Sequence, residues 1–160
     1  MSRGLLIRPV MPPDLDSVSP LAGSRDRAEV RLKAAEHGEE GMLVAVLASR
    51  IVGAESIRWS QGCDPPNPWL YGLQVAAEFR GQGIGRSLVR AAEELGRRHG
   101  ADHMSLDVDV DDARAIAFYE ALGYTVVRHH QHHWRSLDPR TGAVINEGTA
   151  PTLIMRRLLR

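Results

Sequence analysis

From Leu73 to Ser87 the chain passes from a short apolar run into Arg80-Gly81-Gln82-Gly83-Ile84-Gly85-Arg86-Ser87, and apolar residues then recur at helical spacing. Alternating glycines permit positive φ and let a ligand approach the backbone closely. The start of a helix leaves N–H groups without helical acceptors, and with the helix dipole they attract a phosphate. Arg80 and Arg86 add positive charge and Ser87 adds a hydroxyl. The segment is read as a phosphate-binding turn, against the competing account of a helix start with convenient glycines. A Walker loop would need Gly-Lys-Ser/Thr at its end, whereas Arg86 follows Gly85. A dinucleotide fingerprint needs Gly-x-Gly-x-x-Gly, and neither register supplies the last glycine.

Other reactive types are scattered. Glu55 stands in an apolar run, and Glu78 lies beside the loop, where it is expected to face solvent. Asp107 and Asp109 alternate with Leu106, Val108 and Val110, which places carboxylates on one face of a strand. His129, His130, Gln131, His132 and His133 form a tract whose members divide between two strand faces. Two histidines on one face suit a metal, but surface or pocket histidines are the favoured reading, and no metal is expected. Cys63 is the only cysteine, so an intrachain disulfide or a cysteine-based zinc site is ruled out.

The elements that position these groups can be read from periodicity and punctuation. Leu5–Arg8 predicts a strand. Asp14 is placed to cap a short helix, and Ser24 to cap a second over residues 25–37, which Gly38 stops. Met42–Leu47 and Ile51–Trp59 predict a hairpin across Ala48-Ser49-Arg50. Gly62 and three prolines make Ser60–Pro68 a loop. Trp69–Val75 predicts a strand, and the helix after the glycine turn runs to Gly100. A strand over Met104–Val110 leads to Asp112, the cap of a helix reaching Leu122 with Gly123 beyond it. Tyr124–His130 and Pro151–Arg157 predict two further strands. Between them, the stretch from Trp134 to Thr149 carries a turn at Asp138–Gly142. Strands and helices mix without strict alternation, which predicts an α/β class of the mixed α+β kind.

At roughly 100–200 residues per domain, 160 residues predict one domain, 1–160. Hydrophobic residues make up 43% and charged residues 25%, as in ordinary globular chains. Twenty basic residues balance 20 acidic ones, which argues against nucleic-acid coating and membrane adhesion. No apolar run is long enough to span a bilayer, and the N-terminus lacks the apolar core of a signal peptide. A cytoplasmic location is therefore expected. Lys33 is the sole lysine, and the excess of arginine suggests a GC-rich bacterial genome.

Two motifs together resemble the GCN5-related N-acetyltransferases. Their pyrophosphate loop, Arg/Gln-x-x-Gly-x-Gly/Ala, is matched by Arg80-Gly81-Gln82-Gly83-Ile84-Gly85, after a matching Leu73-Gln74-Val75. Their second motif, Asn-x-x-Ala-x-x-Phe/Leu-Tyr-x-x-x-Gly-Phe/Tyr, is followed from Asp112 through Ala115, Phe118, Tyr119 and Gly123 to Tyr124, with aspartate in place of asparagine. The resemblance spans most of residues 5–128. It implies the acyl-CoA N-acyltransferase fold, a twisted mixed sheet of six to seven strands flanked by helices.

The resemblance also implies acetyl transfer from acetyl-CoA to a primary amine by direct attack. Backbone N–H groups from Gly81 to Ser87 would hold the pyrophosphate, with Ile84, Gly85 and Arg86 at the helix start. Leu73, Gln74 and Val75 would pair with pantetheine, as an added strand does. The N–H of Val75 is the candidate oxyanion donor. Tyr119 is the candidate general acid, because a phenol keeps its proton at neutral pH; the competing reading is a packing aromatic. The family's usual base position on that strand holds Trp69 and Tyr71, so Glu55 is taken first as base, with Asp107, Asp109 or a histidine of the tract as alternatives.

Arginines gather beyond the loop and acids on the second helix and near Asp112. This suggests a basic coenzyme end and an acidic mouth for a small amine or a peptide amine. A non-catalytic acyl-CoA sensor and a nucleotide binder remain as alternative functions. The stretch from Trp134 to Thr149 suits either an acceptor pocket or a homodimer contact.

Overall fold

The computed structural model describes residues 4–59, 68–138 and 140–160. Cys63, nearly all of the proline-rich loop and Pro139 of the expected turn lie outside the described residues. Among the described residues, seven strands and four α-helices make a mixed α/β arrangement, as the sequence predicts. They fall into two compact units. One runs to Met104 and takes back Leu158–Arg160; the other is Ser105–Arg157. No helix among the described residues is long and apolar enough to cross a membrane.

In the first unit, β1 (Leu6–Pro9), β2 (Glu40–Leu47), β3 (Arg50–Arg58) and β4 (Trp69–Val75) pair in sequence order, each antiparallel to the next. The β2–β3 turn is two residues, Ala48 and Ser49, both at positive φ (50° and 65°). That is the mirror-image turn that suits the twist of a hairpin, here made without glycine.

Helices α1 (Leu15–Ala22) and α2 (Arg25–Glu36) cover one face of this sheet. Val18 and Ala28 pack there against Met42, Val44 and Ala54. Helix α3 (Ile84–Arg98) covers the other face, where Ile84 and Leu88 pack on Ala45 and Val52. Ser24 caps α2 as expected, accepting from the Arg27 N–H at 3.1 Å. Asp14 does stand at the start of α1 but makes no side-chain cap. Its carboxylate binds Arg8 at 2.8 and 3.0 Å and the Met11 N–H at 2.8 Å. The Arg8 guanidinium accordingly holds the Asp14 carboxyl below its ordinary value.

In the second unit, β5 (His103–Asp109, its first two residues belonging to the first unit), β7 (Val144–Leu158) and β6 (Thr125–Leu137) lie in that order, and α4 (Ala113–Ala121) follows β5. The hairpin of β6 and β7 is far longer than the two short strands predicted. Residues 134–149 are mostly strand, with the expected turn at the tip, where the Gly142 N–H donates to Asp138 at 2.8 Å. Gly148 and Pro151 had disguised β7. The pairing tolerates both: Pro151 stands opposite Gln131, and Gly148 makes room for the Trp134 ring.

Candidate functional site

The glycine turn has the geometry a phosphate needs. Gly81 and Gly83 sit at φ +78° and +84°, conformations costly for any other residue, and both are exposed. The first helical bond of α3 is donated by Ser87 to Gly83 at 3.0 Å. The N–H groups of Ile84, Gly85 and Arg86 precede it and have no helical acceptor. Arg86 is exposed beside them. Arg80 is used differently from the expectation of free charge: its Nε donates to the Val75 carbonyl at 2.9 Å, fastening the turn to the end of β4.

The end of β4 is held to β3 through its backbone. The Ala76 N–H donates to Val52 on β3 at 2.8 Å. Successive N–H groups of a strand alternate in direction, so that of Val75 points away from β3. The Leu73 and Val75 side chains pack partly into the cluster under α3. Just before them the register slips. Ala54 opposes Gln74, but Ser56 opposes Tyr71, so β4 carries one extra residue opposite Glu55. Gly72, at φ +67° and exposed, belongs to this bulge.

Glu55 is fully buried on β3, and neither carboxyl oxygen has a hydrogen-bond partner. Burial pushes its pKa well above the ordinary value; Arg31 partly opposes this and Glu93 adds to it. Desolvation disfavours the charged carboxylate and so strengthens its hold on a proton.

Sequence reasoning missed a second cluster on the α2 face. Arg31, at 8% exposure, donates from Nε to Ser56 Oγ at 2.7 Å, while its Nη2 is buried without a partner. The Tyr71 ring lies between two guanidinium groups, Arg31 at 5.4 Å and Arg58 at 4.8 Å from its centroid. The Tyr71 hydroxyl donates to Glu40, whose other oxygen stands 3.7 Å from Arg58. Burial first, then the bond to Glu40, pushes the phenol up to about 12. One signal was available: Ala28, Arg31, Leu32 and Ala35 recur at helical spacing, which sets an arginine in an apolar stripe.

In the second unit, Asp112 caps α4 by accepting from the Ala115 N–H at 3.0 Å. Asparagine and aspartate do this equally well, which explains the departure from the family pattern. Tyr119 is half-buried, its ring edge-on to Phe118 (5.0 Å) and to the buried Tyr124 (5.7 Å). The histidine tract divides: His132 Nδ1 lies 3.3 Å from Asp107 Oδ2, and His133 Nε2 lies 3.6 Å from Glu147. Among the described residues no group of three or more metal-ligating side chains forms.

Residues 13–124 match the model of the acetyltransferase (GNAT) family. The chain is 36% identical over 72 residues to a mycothiol acetyltransferase of Corynebacterium glutamicum, covering 45% of this chain and 25% of that protein. It is 38% identical over 52 residues to N-alpha-acetyltransferase 30 of Schizosaccharomyces pombe, covering 32% of this chain and 35% of that one. The chain thus spans only a quarter to a third of the curated relatives it matches. Among solved structures, the ribosomal-protein-S18-alanine N-acetyltransferase of Escherichia coli superposes with a TM-score of 0.73 at 16% identity, over 97% of this chain and 94% of that one. A putative acetyltransferase of Salmonella typhimurium, solved with acetyl-CoA, gives 0.73 at 17% identity, over 98% and 95%. With its family motifs on the elements that the family places them on, and with most of its length under the family model, the chain belongs to the acetyltransferase (GNAT) family.

Proposed function

We propose that this protein transfers an acetyl group from acetyl-CoA to a primary amine by direct attack. The observation that carries the reading is the continuity of β4 into α3. A Val75 N–H pointing away from β3 is followed, beyond Ala77–Phe79 and the glycine turn, by the N–H groups of Ile84 to Arg86, which have no helical acceptor. The first suits a thioester carbonyl and the second a pyrophosphate. Solved relatives that hold acetyl-CoA support the choice of coenzyme.

In this reading the amine nitrogen attacks the thioester carbon, and the oxyanion that forms is stabilised by the Val75 N–H. The C–S bond then breaks, the departing sulfur takes the proton of the Tyr119 hydroxyl, and the proton shed by the now cationic nitrogen restores the phenol. The ammonium proton must first go elsewhere. Glu55, buried on β3, is the first candidate to take it, with Asp107, 3.3 Å from His132, and Asp109 as alternatives. The chemistry calls for no metal.

Calorimetry with acetyl-CoA, followed by assay of CoA thiol release with a panel of amines, tests the reading. Saturable binding with amine-dependent release is expected. Absence of binding at millimolar acetyl-CoA overturns it, and binding without release on any amine leaves an acyl-CoA sensor in its place.

A further inference from the structure

The cluster around Arg31 is not required by acetyl-CoA binding, and its chemistry is incomplete. Arg31 is 8% exposed, one of its guanidinium nitrogens has no partner among the described residues, and the group packs against the bulge of β4. A β-carbon at Gly72 would stand 2.9 Å from the guanidinium carbon and both terminal nitrogens, so only glycine leaves room for the group. Arg31 and Arg58 face one carboxylate, Glu40, which is already bound to the Tyr71 hydroxyl and close to Arg58. Glu55, near enough to act on Arg31, forms no ion pair with it among the described residues, and burial raises its pKa. A buried cationic donor in such company is stable when an anion completes it.

Gly72 is exposed and directly precedes Leu73–Val75, where the acetyl arm lies in the proposed reading. The Arg31 group belongs to the face covered by α2, while the phosphate-binding turn opens the helix on the opposite face. An anion held by Arg31 therefore belongs to the second substrate, beside the strand at which transfer occurs.

We propose that Arg31 binds the carboxylate of the acceptor, so that the acceptors are amines that also carry a carboxylate group. The inference rests on the acetyltransferase reading and names its substrate class. It also qualifies the acidic mouth expected from the sequence. On this face the buried charge nearest to β4 is positive, and the acids of α2 are solvent-side, Glu29 pairing with Arg25 at 3.6 Å.

The test compares glycine, β-alanine, 4-aminobutyrate and 6-aminohexanoate with their primary carboxamides, by CoA release at saturating acetyl-CoA. At least one acid should exceed its amide by ten-fold or more in kcat/KM, through KM. Arg31→Gln should bring that ratio near one, and Arg31→Lys should restore part of it. Should Arg31→Gln fail to fold, propionate on the wild type gives an independent measure, expected to inhibit competitively against the acceptor and not against acetyl-CoA.

Equal rates on acid and amide overturn the assignment, as does a preference that survives in Arg31→Gln or propionate inhibition that is not competitive with the acceptor. Acetyl-CoA binding without transfer to any acid of the series overturns it too. Failure to bind acetyl-CoA at all instead removes the reading beneath it, so the two failures are distinguishable.

Discussion

Arg31 of α2 and Gly72 of β4 fit so closely that a β-carbon on residue 72 would stand 2.9 Å from the guanidinium. Gly72 is held at φ +67° as well, so two separate constraints select glycine there. Gly72→Ala should therefore cost at least the ~1–2 kcal/mol of a left-handed alanine, with the displacement of Arg31 added. A lowered urea midpoint at unchanged m-value is the expected result, and an unaltered midpoint contradicts it.

At Gly83 the balance is different. A β-carbon there meets nothing within 4 Å, but φ is +84° at the cap of α3. Gly83→Val should keep the fold while turning the first N–H groups of the helix away from a pyrophosphate. Calorimetry should show acetyl-CoA affinity lowered by ten-fold or more, with far-ultraviolet dichroism unchanged.

Tyr119→Phe removes the hydroxyl while leaving the ring that meets Phe118 and Tyr124. If the phenol protonates the leaving sulfur, kcat should fall by about 10²-fold or more with little change in acetyl-CoA affinity. A variant as fast as the wild type removes Tyr119 from the chemistry.

Glu55 gives a pH signature in stability rather than in rate. Its folded-state pKa is raised, so the folded protein holds a proton that the unfolded chain releases near the ordinary carboxyl value. Its burial is therefore tolerated in acid and costs stability as pH rises from there toward the folded pKa. Glu55→Gln should remove that slope, so the variant gains on the wild type by up to ~1.4 kcal/mol for each pH unit across this window. Denaturant titrations at pH 5 and pH 8 measure the gap, and a gap that shrinks with pH refutes the assignment.

Ala48 and Ser49 occupy positive φ in a two-residue turn. Ser49→Gly should relieve the left-handed strain there and stabilise the hairpin by up to ~1 kcal/mol. A raised melting temperature is expected, and a lowered one would show that the serine side chain contributes more than its backbone costs.

The parts legible in the sequence are those whose physics is local. Gly81 and Gly83 announce a backbone that only glycine adopts easily, and Asp112 announces a cap by its type and place. The hairpin, α2 and α4 follow from periodicity and stop signals. The parts that were illegible depend on what lies across the fold. Glu55 reads as an ordinary carboxylate until burial without a partner raises its pKa. Asp14 reads as a cap until Arg8 engages it instead. The long β6 and β7 carry four histidines, four arginines and the interrupting Gly148 and Pro151, weak strand signals whose pairing with each other decides the outcome. Arg31 was visible only as an odd member of an apolar stripe, and its significance comes from Gly72, far away in sequence.

The division of the first unit's sheet between α2 on one face and α3 on the other separates two kinds of inheritance. The residues that would recognise the coenzyme, common to every reaction of this type, lie along β4 and the start of α3. Those that would choose the acceptor lie on α2 and the side chains it covers. Substitutions confined to residues 25–36 can thus redirect such a protein to a new amine without disturbing the coenzyme turn, so that paralogues would diverge in that one helix while keeping the glycines unchanged.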